Sequence, residues 1–229
     1  METYLITGAN RGIGFALVQQ CLANGHRVIA TYRDQSAANA LFELAGESCL
    51  LELVQAELDS ETGINKLANE IADKPLDVLI NNAGIMGPEQ QDLNGLDSEG
   101  WLATFAINTI APFHVSRLLL PNLLHSARPR IITISSQMGS LARESTGSYA
   151  YRSSKAAVNK VMQVMATELA EQGVIVCPMH PGWVQTDMGG MEADISAQQS
   201  AAGIIRFVEG VSLAESGRFW TWQGEEHPW

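Results

Sequence analysis

Tyr151 and Lys155 stand four residues apart in Tyr151-Arg152-Ser153-Ser154-Lys155. On a helix that spacing points a phenol and an ammonium from one face with neighbouring heads. A free tyrosine, with a pKa of about 10, is too weak an acid for fast proton transfer near neutrality. An adjacent cation favours the phenolate and is expected to lower that value, which makes Tyr151 a candidate acid and base. The pattern alone is common on exposed helices, so its company matters. Ser135-Ser136 closes an apolar run of strand length, where a hydroxyl projects at the carboxyl edge of a sheet; Ser136 is the preferred candidate and Ser135 the lesser one. Asn108 lies inside a helical pattern, Phe105-Ala106-Ile107-Asn108-Thr109, an awkward place for an amide unless something polar holds it. Tyr149 is no rival to Tyr151, because Ser153 rather than a lysine follows it by one helical turn.

A second group of residues reads as a phosphate cradle. Thr7-Gly8-Ala9-Asn10-Arg11-Gly12-Ile13-Gly14 follows an apolar strand and leads directly into an amphipathic helix. Glycines in that context permit tight backbone geometry and let a pyrophosphate approach the free N–H groups and positive dipole of the helix start. The turn is therefore expected to hold a dinucleotide. Arg11 sits within it, and Arg33 lies just past the second strand. A cofactor lacking the 2′-phosphate would typically meet an acid near that place. Tyr32 occupies the position, with Asp34 two residues on. Two guanidinium groups favour a 2′-phosphate, so NADP(H) is the expected cofactor, while Asp34 keeps NAD(H) open.

These groups need a scaffold that gathers distant segments at one edge, and the apolar runs supply it. Strand-length runs recur at Tyr4–Thr7, Arg27–Thr31, Leu50–Val54, Val78–Asn81, Arg130–Ser135, Val174–Met179 and Gly217–Trp222. Between them lie amphipathic stretches at Gly12–Asn24, Ala37–Leu44, Glu61–Ala72, Ser98–His125, Tyr149–Gln172 and Ala197–Val208. Alternation of this kind, with continuous runs such as Val78-Leu79-Ile80, requires right-handed crossovers and a sheet covered on both faces. The expectation is one doubly wound α/β domain of the Rossmann type spanning residues 1–229, with a seven-stranded, mostly parallel sheet in the order 3-2-1-4-5-6-7. The stretch from about 183 to 200, with Gly189 and Gly190, is the candidate mobile substrate loop.

Composition narrows the partners. The chain has 229 residues, 46% of them hydrophobic, and a formal charge of −11 from 25 acidic and 14 basic side chains, which describes a globular protein with no basic surface for nucleic acid. Cys21, Cys49 and Cys177 are odd in number and widely spaced, so neither a disulfide framework nor a metal site is expected, and all three read as structural. With no leader pattern and no apolar run long enough to span a bilayer, a cytoplasmic location is expected.

Asn108, Ser136, Tyr151 and Lys155 resemble the Asn, Ser, Tyr, Lys set of the short-chain dehydrogenase/reductase family, and the likeness covers essentially the whole chain. The glycine turn has that family's T-G-x-x-x-G-x-G spacing. Asn81-Asn82-Ala83-Gly84 matches its N-N-A-G, and Pro181-Gly182-Trp183-Val184-Gln185-Thr186 matches its P-G-x-V-x-T. Tyr-Arg-x-Ser-Lys, the string from His180 through Gly190 and the aromatic tail look like the C-factor-like and carbonyl-reductase-like branch, with His180 read as structural. The resemblance implies an oxidoreductase that moves hydride between a nicotinamide and a carbonyl or alcohol, with Tyr151 exchanging the proton. It implies that Ser136 binds the substrate oxygen, that Lys155 binds the nicotinamide ribose and tunes Tyr151, and that Asn108 holds a water leading to Lys155. Cofactor contacts are implied for Gly8, Asn10, Arg11, Gly12, Ile13, Gly14, Arg33, Glu57, Leu58, Asn82, Ala83, Gly84, Tyr151, Lys155, Pro181, Gly182, Val184 and Thr186. Two departures stand out: the gap from Ser136 to Tyr151 is fifteen residues where the family usually has thirteen, and Glu57, with Asp59 after it, replaces a common aspartate. Met86, Met138, Leu141, Trp183, Met188 and Met191 are candidates for an apolar substrate wall. The long helical stretches resemble those through which the family forms homodimers. The alternative is a nucleotide-binding signalling or redox-sensing protein with little turnover.

Overall fold

The computed structural model describes residues Met1–Trp229. Its strands, in chain order, are β1 (Thr3–Ile6), β2 (Arg27–Tyr32), β3 (Leu51–Gln55), β4 (Val78–Asn81), β5 (Arg130–Ile134), β6 (Ile175–His180), β7 (Val184–Gln185), β8 (Ile195–Ser196) and β9 (Trp220–Thr221). The helices are α1 (Gly12–Ala23), α2 (Asn39–Glu47), α3 (Glu61–Ile71), α4 (Ser98–Phe105), α5 (Ala111–Leu118), α6 (Leu120–Leu123), α7 (Tyr149–Leu169) and α8 (Ala197–Gly210). Seven strands form one sheet in the order β3-β2-β1-β4-β5-β6-β9, every pairing parallel. This is the expected order, with β9 as the seventh member.

The period-two alternation of each strand assigns its side chains to two cores. Tyr4 and Ile6 of β1 join α1, α2 and α8 in one apolar cluster, whereas Leu5 between them joins α3, α5 and α7 in the other. Both faces are thus covered, as a parallel sheet requires. At the amino edge, Arg130 is fully buried yet satisfied: its Nη1 donates to Val208 O at 3.0 Å, its Nε donates to Arg128 O at 3.1 Å, and its Nη2 pairs with Glu2.

Three expectations need correction. The stretch Ser98–His125 is not one helix: a π-helical segment, Ala106–Ile110, separates α4 from α5, and Ala111 N–H donates to Ala106 O five residues back. Pro112 supplies the reason, since it has no N–H to give the carbonyl of Asn108, its partner in an uninterrupted helix. The seventh strand is only Trp220–Thr221, and residues 184–185 pair with 195–196 in a small second sheet that spacing did not reveal. Cys49 is exposed, whereas Cys21 and Cys177 are buried as small hydrophobes.

The chain's last residues brace the carboxyl edge. Phe219 and Trp229 stack with centroids 5.9 Å apart, Trp229 O accepts from Ala142 N at 2.9 Å, and Pro228 O accepts from Ser140 Oγ at 2.9 Å. Trp222 fills the space over Gly203 of α8 and under Gly182. A Cβ on Gly203 would lie 2.5 Å from Trp222 O and collide with the indole. Gly203→Ala is therefore expected to lower stability by about 1–3 kcal/mol in urea unfolding, despite alanine's better helix propensity. An unchanged midpoint would contradict this packing.

Candidate active site

The glycine turn is pinned between its neighbouring strands. Ala9 N–H donates to Thr31 O at 2.7 Å and Gly8 N–H to Thr31 Oγ1 at 3.1 Å, which ties the turn to β2. Thr7 Oγ1 accepts from the N–H groups of Asn82 and Ala83, both at 3.0 Å. Asn82 Nδ2 donates to Thr7 O at 2.9 Å and Gly8 O at 3.0 Å, so the segment after β4 is bound to the turn after β1. Gly8 has φ +62°, and a Cβ on Gly14 would strike Gly8 O and the Asn82 amide. Only glycine permits this curvature and this closeness. The first turn of α1 contains no acidic residue, and no side chain caps it. Its N–H groups and dipole are thus available to an anion.

The two arginines are placed differently. Arg11 is exposed and its Nη1 lies 2.7 Å from Asp187 Oδ2, so in this structure it bridges the turn to the segment after β7. Arg33 is exposed just beyond β2. Asp34 is committed to a local cap: its Oδ1 accepts from Ser36 N and Ser36 Oγ, both at 2.9 Å, and these bonds hold its pKa below the usual carboxylate range. Asn10 Nδ2 donates to Ala37 O at 3.1 Å. Glu57 is exposed and Leu58 half-buried after β3. Ile13 is half-buried at the start of α1.

Ser136, Tyr151, Lys155 and Asn108 are all buried and meet beyond the carboxyl ends of β4 and β5. Lys155 Nζ donates to Ile134 O at 2.8 Å and lies 5.8 Å from the centroid of the Tyr151 ring. A Cβ on Gly84 would be 3.2 Å from Asn108 Oδ1 and 3.5 Å from Lys155 Nζ, which sets the N-N-A-G segment beside both. The geometry separates the two serines. Ser135 Oγ is turned to Lys155 O at 3.4 Å, whereas Ser136 caps the turn Gln137–Gly139, its Oγ accepting from Met138 N at 3.1 Å, and stands next to the phenol. Gly139 lets that turn press on α7, since a Cβ there would lie 2.6 Å from Lys155 C.

Electrostatics depart from the expectation of a phenol acidified by its ammonium. Burial holds the Tyr151 pKa above its ordinary value, and the Ser136 hydroxyl works in the opposite direction. Burial also pulls Lys155 down to about 8. The same desolvation acts on both because each is pushed toward its neutral form.

Asn108 does more than sequence suggested. Its Oδ1 accepts from Ile85 N and its Nδ2 donates to Ile85 O, each at 2.8 Å, and Nδ2 also donates to Ser154 Oγ at 3.0 Å. Gln91, absent from the residues that motif and spacing single out, is buried, and its Oε1 accepts from Tyr151 N–H at 3.0 Å. Nothing in its local sequence marks it, because its partner is sixty residues away.

Beyond β6, Pro181 O accepts from Ser200 Oγ at 2.6 Å, Gly182 has φ +91°, and Val184 is buried. Thr186 leans on the glycine turn, its Cγ2 3.2 Å from where a Gly12 Cβ would stand. Trp183 Nε1 donates to Gly189 O at 2.8 Å, folding this segment on itself. Of the wall candidates, Met138 is half-buried, while Met86, Trp183 and Met188 are 37%, 46% and 48% exposed. Leu141 and Met191, at 86% and 81% exposure, stand in solvent rather than in a wall.

A parallel sheet in this order, with a glycine turn between β1 and α1, defines the dinucleotide-binding class of doubly wound folds. The sequence profile of the short chain dehydrogenase family matches residues 2–196. The chain belongs to the short-chain dehydrogenase/reductase family. It is 43% identical over 163 residues to the C-signal protein of Myxococcus xanthus, covering 71% of this chain and 98% of that one. Among solved structures, the carbonyl reductase Sniffer of D. melanogaster superposes with a TM-score of 0.95 at 31% identity, covering all of both chains. An NADPH-bound carbonyl reductase from chicken fatty liver gives 0.93 at 32% identity, covering 100% of this chain and 99% of that one. These relatives agree with the C-factor-like and carbonyl-reductase-like branch that the motifs suggested.

His180, which ends β6, has a buried Nδ1 without a partner and a ring 5.9 Å from that of His227. Burial, with His227 and Arg143 nearby, lowers its pKa to about 4. The unfolded chain, with histidine near 6.5, then binds more protons than the native protein between about pH 6.5 and 4, so this contribution is complete above that window and lost as pH falls through it. His180→Gln should flatten the stability loss measured by urea unfolding across that window; an unaltered slope would refute the assignment.

Proposed function

We propose that the protein is an NADP(H)-dependent oxidoreductase that reduces a small carbonyl compound, or oxidises the corresponding alcohol, with Tyr151 as acid and base. The observation that carries this reading is the burial of Tyr151, Lys155 and Ser136 together at the carboxyl edge that also bears the glycine turn. The names of the carbonyl reductase relatives, one of them NADPH-bound, support the same reaction class.

The residues fit a dinucleotide. Gly8, Gly12 and Gly14 clear the approach to the uncapped start of α1, and Asn82, Ala83 and Gly84 form the opposite side of the cradle. Arg33 is free beside β2 while Asp34 is spent on its cap, an arrangement that suits a 2′-phosphate better than a bare ribose hydroxyl. Glu57 and Leu58 would border the adenine, and Pro181, Gly182, Val184 and Thr186 the nicotinamide. When bound, the nicotinamide supplies or takes up the hydride. Ser136 orients the substrate oxygen toward Tyr151. At neutral pH the phenol is fully protonated, which suits proton delivery in reduction. Lys155 is still mostly an ammonium there and stabilises the phenolate left behind. Met86, Met138, Trp183 and Met188 shape the substrate side, with residues 183–200 as its loop. Assembly as a homodimer through α4, α5 and α7 belongs to the same reading, since Ile110, Phe113 and Val164 are exposed there. No helix is long and apolar enough to cross a membrane.

The test is NADPH oxidation with a panel of aldehydes, ketones and quinones. Tyr151→Phe should lower kcat by roughly 10²-fold or more while NADPH affinity stays within about twofold. A Tyr151→Phe enzyme at full rate would remove the tyrosine from the chemistry. A wild type that binds NADPH yet turns over nothing would favour a sensing role. Arg33→Ala should weaken NADPH by roughly 3- to 30-fold and leave NADH nearly unchanged, the low end reflecting solvent screening. Equal losses for both cofactors would overturn the phosphate assignment.

A further inference from the structure

The segment from Ile85 to Gln91, which follows β4, is fastened to α7 at both ends. At its start, the Asn108 side chain holds Ile85 through two hydrogen bonds and reaches Ser154 Oγ, which in turn donates to Tyr151 O at 2.8 Å. At its end stands Gln91, only 8% exposed, with every polar atom of its side chain engaged. Its Nε2 donates to Met86 O at 2.8 Å and to Pro88 O at 2.9 Å, and its Oε1 accepts from Tyr151 N at 3.0 Å. Its backbone carbonyl also accepts from Tyr149 N at 3.4 Å.

These bonds land where α7 most needs them. A helix leaves its first N–H groups without internal acceptors. The N-cap of α7, Ser148, sits in the left-handed region at φ +52° and offers no side-chain bond. Arg152 N–H already reaches Ser148 O at 2.8 Å, so Tyr149, Ala150 and Tyr151 are the donors left over. Gln91 takes two of those three, acting as a cap delivered from another part of the chain. The capped residue is Tyr151 itself.

We infer that Gln91 is a positioning residue for the reaction proposed above: its amide fixes the backbone from which the Tyr151 phenol projects, and couples that backbone to the Met86–Pro88 stretch, which carries the wall candidate Met86. The inference rests on the carbonyl-reductase reading for its kinetic consequences, though not for the bond itself. Gln91 touches no reacting atom and acts through Tyr151.

Two variants divide the amide's duties. Gln91→Met keeps length and burial but neither accepts nor donates. Gln91→Glu keeps the acceptor for Tyr151 N–H, but burial holds its carboxyl neutral, with one proton to give to Met86 O or Pro88 O where the amide has two. Amide hydrogen exchange at Tyr151, NADPH affinity by fluorescence, and kcat and KM for 4-nitrobenzaldehyde across pH 6 to 10 are the measurements. In Gln91→Met, exchange at Tyr151 should accelerate about tenfold or more and kcat should fall about tenfold, with NADPH affinity within about twofold. In Gln91→Glu, kcat should fall less and KM rise, because the tyrosine is still capped while one of the two bonds to the Met86–Pro88 stretch is lost. Should Gln91→Met not fold, the KM-against-kcat split in Gln91→Glu decides. Unchanged exchange and kcat in Gln91→Met would overturn the inference, as would parallel losses of kcat, NADPH affinity and melting temperature in both variants. If the wild type reduces no carbonyl, the proposed function fails by itself, and exchange at the Tyr151 amide then decides the role of Gln91.

Discussion

Strands of a parallel sheet lose their hydrogen-bonding neighbours where they end, and the polar groups released there must find partners without leaving the protein's interior. In this chain the segments beyond β1, β4 and β5 satisfy one another. Asn82 binds the turn after β1, Asn108 binds Ile85, and Lys155 binds the last carbonyl of β5. Remove that mutual satisfaction and the edge has no reason to stay closed. Everything chemical about the site follows from it, because the groups held in the mesh are the ones with protons to exchange.

Enclosure has an electrostatic consequence. Taking a phenol and an ammonium out of water raises the pKa of the first and lowers that of the second, here with Lys155 near 8. The two values, ordinarily 10.0 and 10.5, move apart and exchange order. An ammonium that is a stronger acid than the phenol beside it can return a proton to a phenolate downhill, so burial, which resists forming a phenolate, also readies Lys155 to reprotonate it. Pairing spacing on a helix was legible from the sequence; this outcome was not, because it depends on how much protein surrounds the pair.

Legibility elsewhere followed the range of the interactions. The glycine turn, the Tyr-Lys spacing and the six main strands are local patterns, and each fell within a residue or two of its expected place. The break at Asn108 is also written locally, in Pro112, although the apolar period continues through it and masks the interruption. Other features had no local signature. Arg11 meets Asp187 across 176 positions, and Gln91 meets Tyr151 across sixty. The β7 and β8 pair consists of two residues on each side, too short for any periodicity to register. Asp34 sat where a ribose ligand was conceivable, yet two bonds to Ser36 employ it as a turn cap. Exposure of Leu141 likewise reflects the course of a loop, not the character of leucine.

The origin of the π-helical segment sets it apart from its surroundings. Most of the edge is held by bonds that acid, salt or a competing ligand can loosen. The irregularity that presents Asn108 is imposed by an imino acid, a property of the covalent chain that no solvent condition reverses. The missing N–H is fixed at synthesis, before any tertiary contact forms, so wherever this helix folds the carbonyl of Asn108 lacks its usual partner, and the weaker bonds around Tyr151 are assembled beside that constant irregularity.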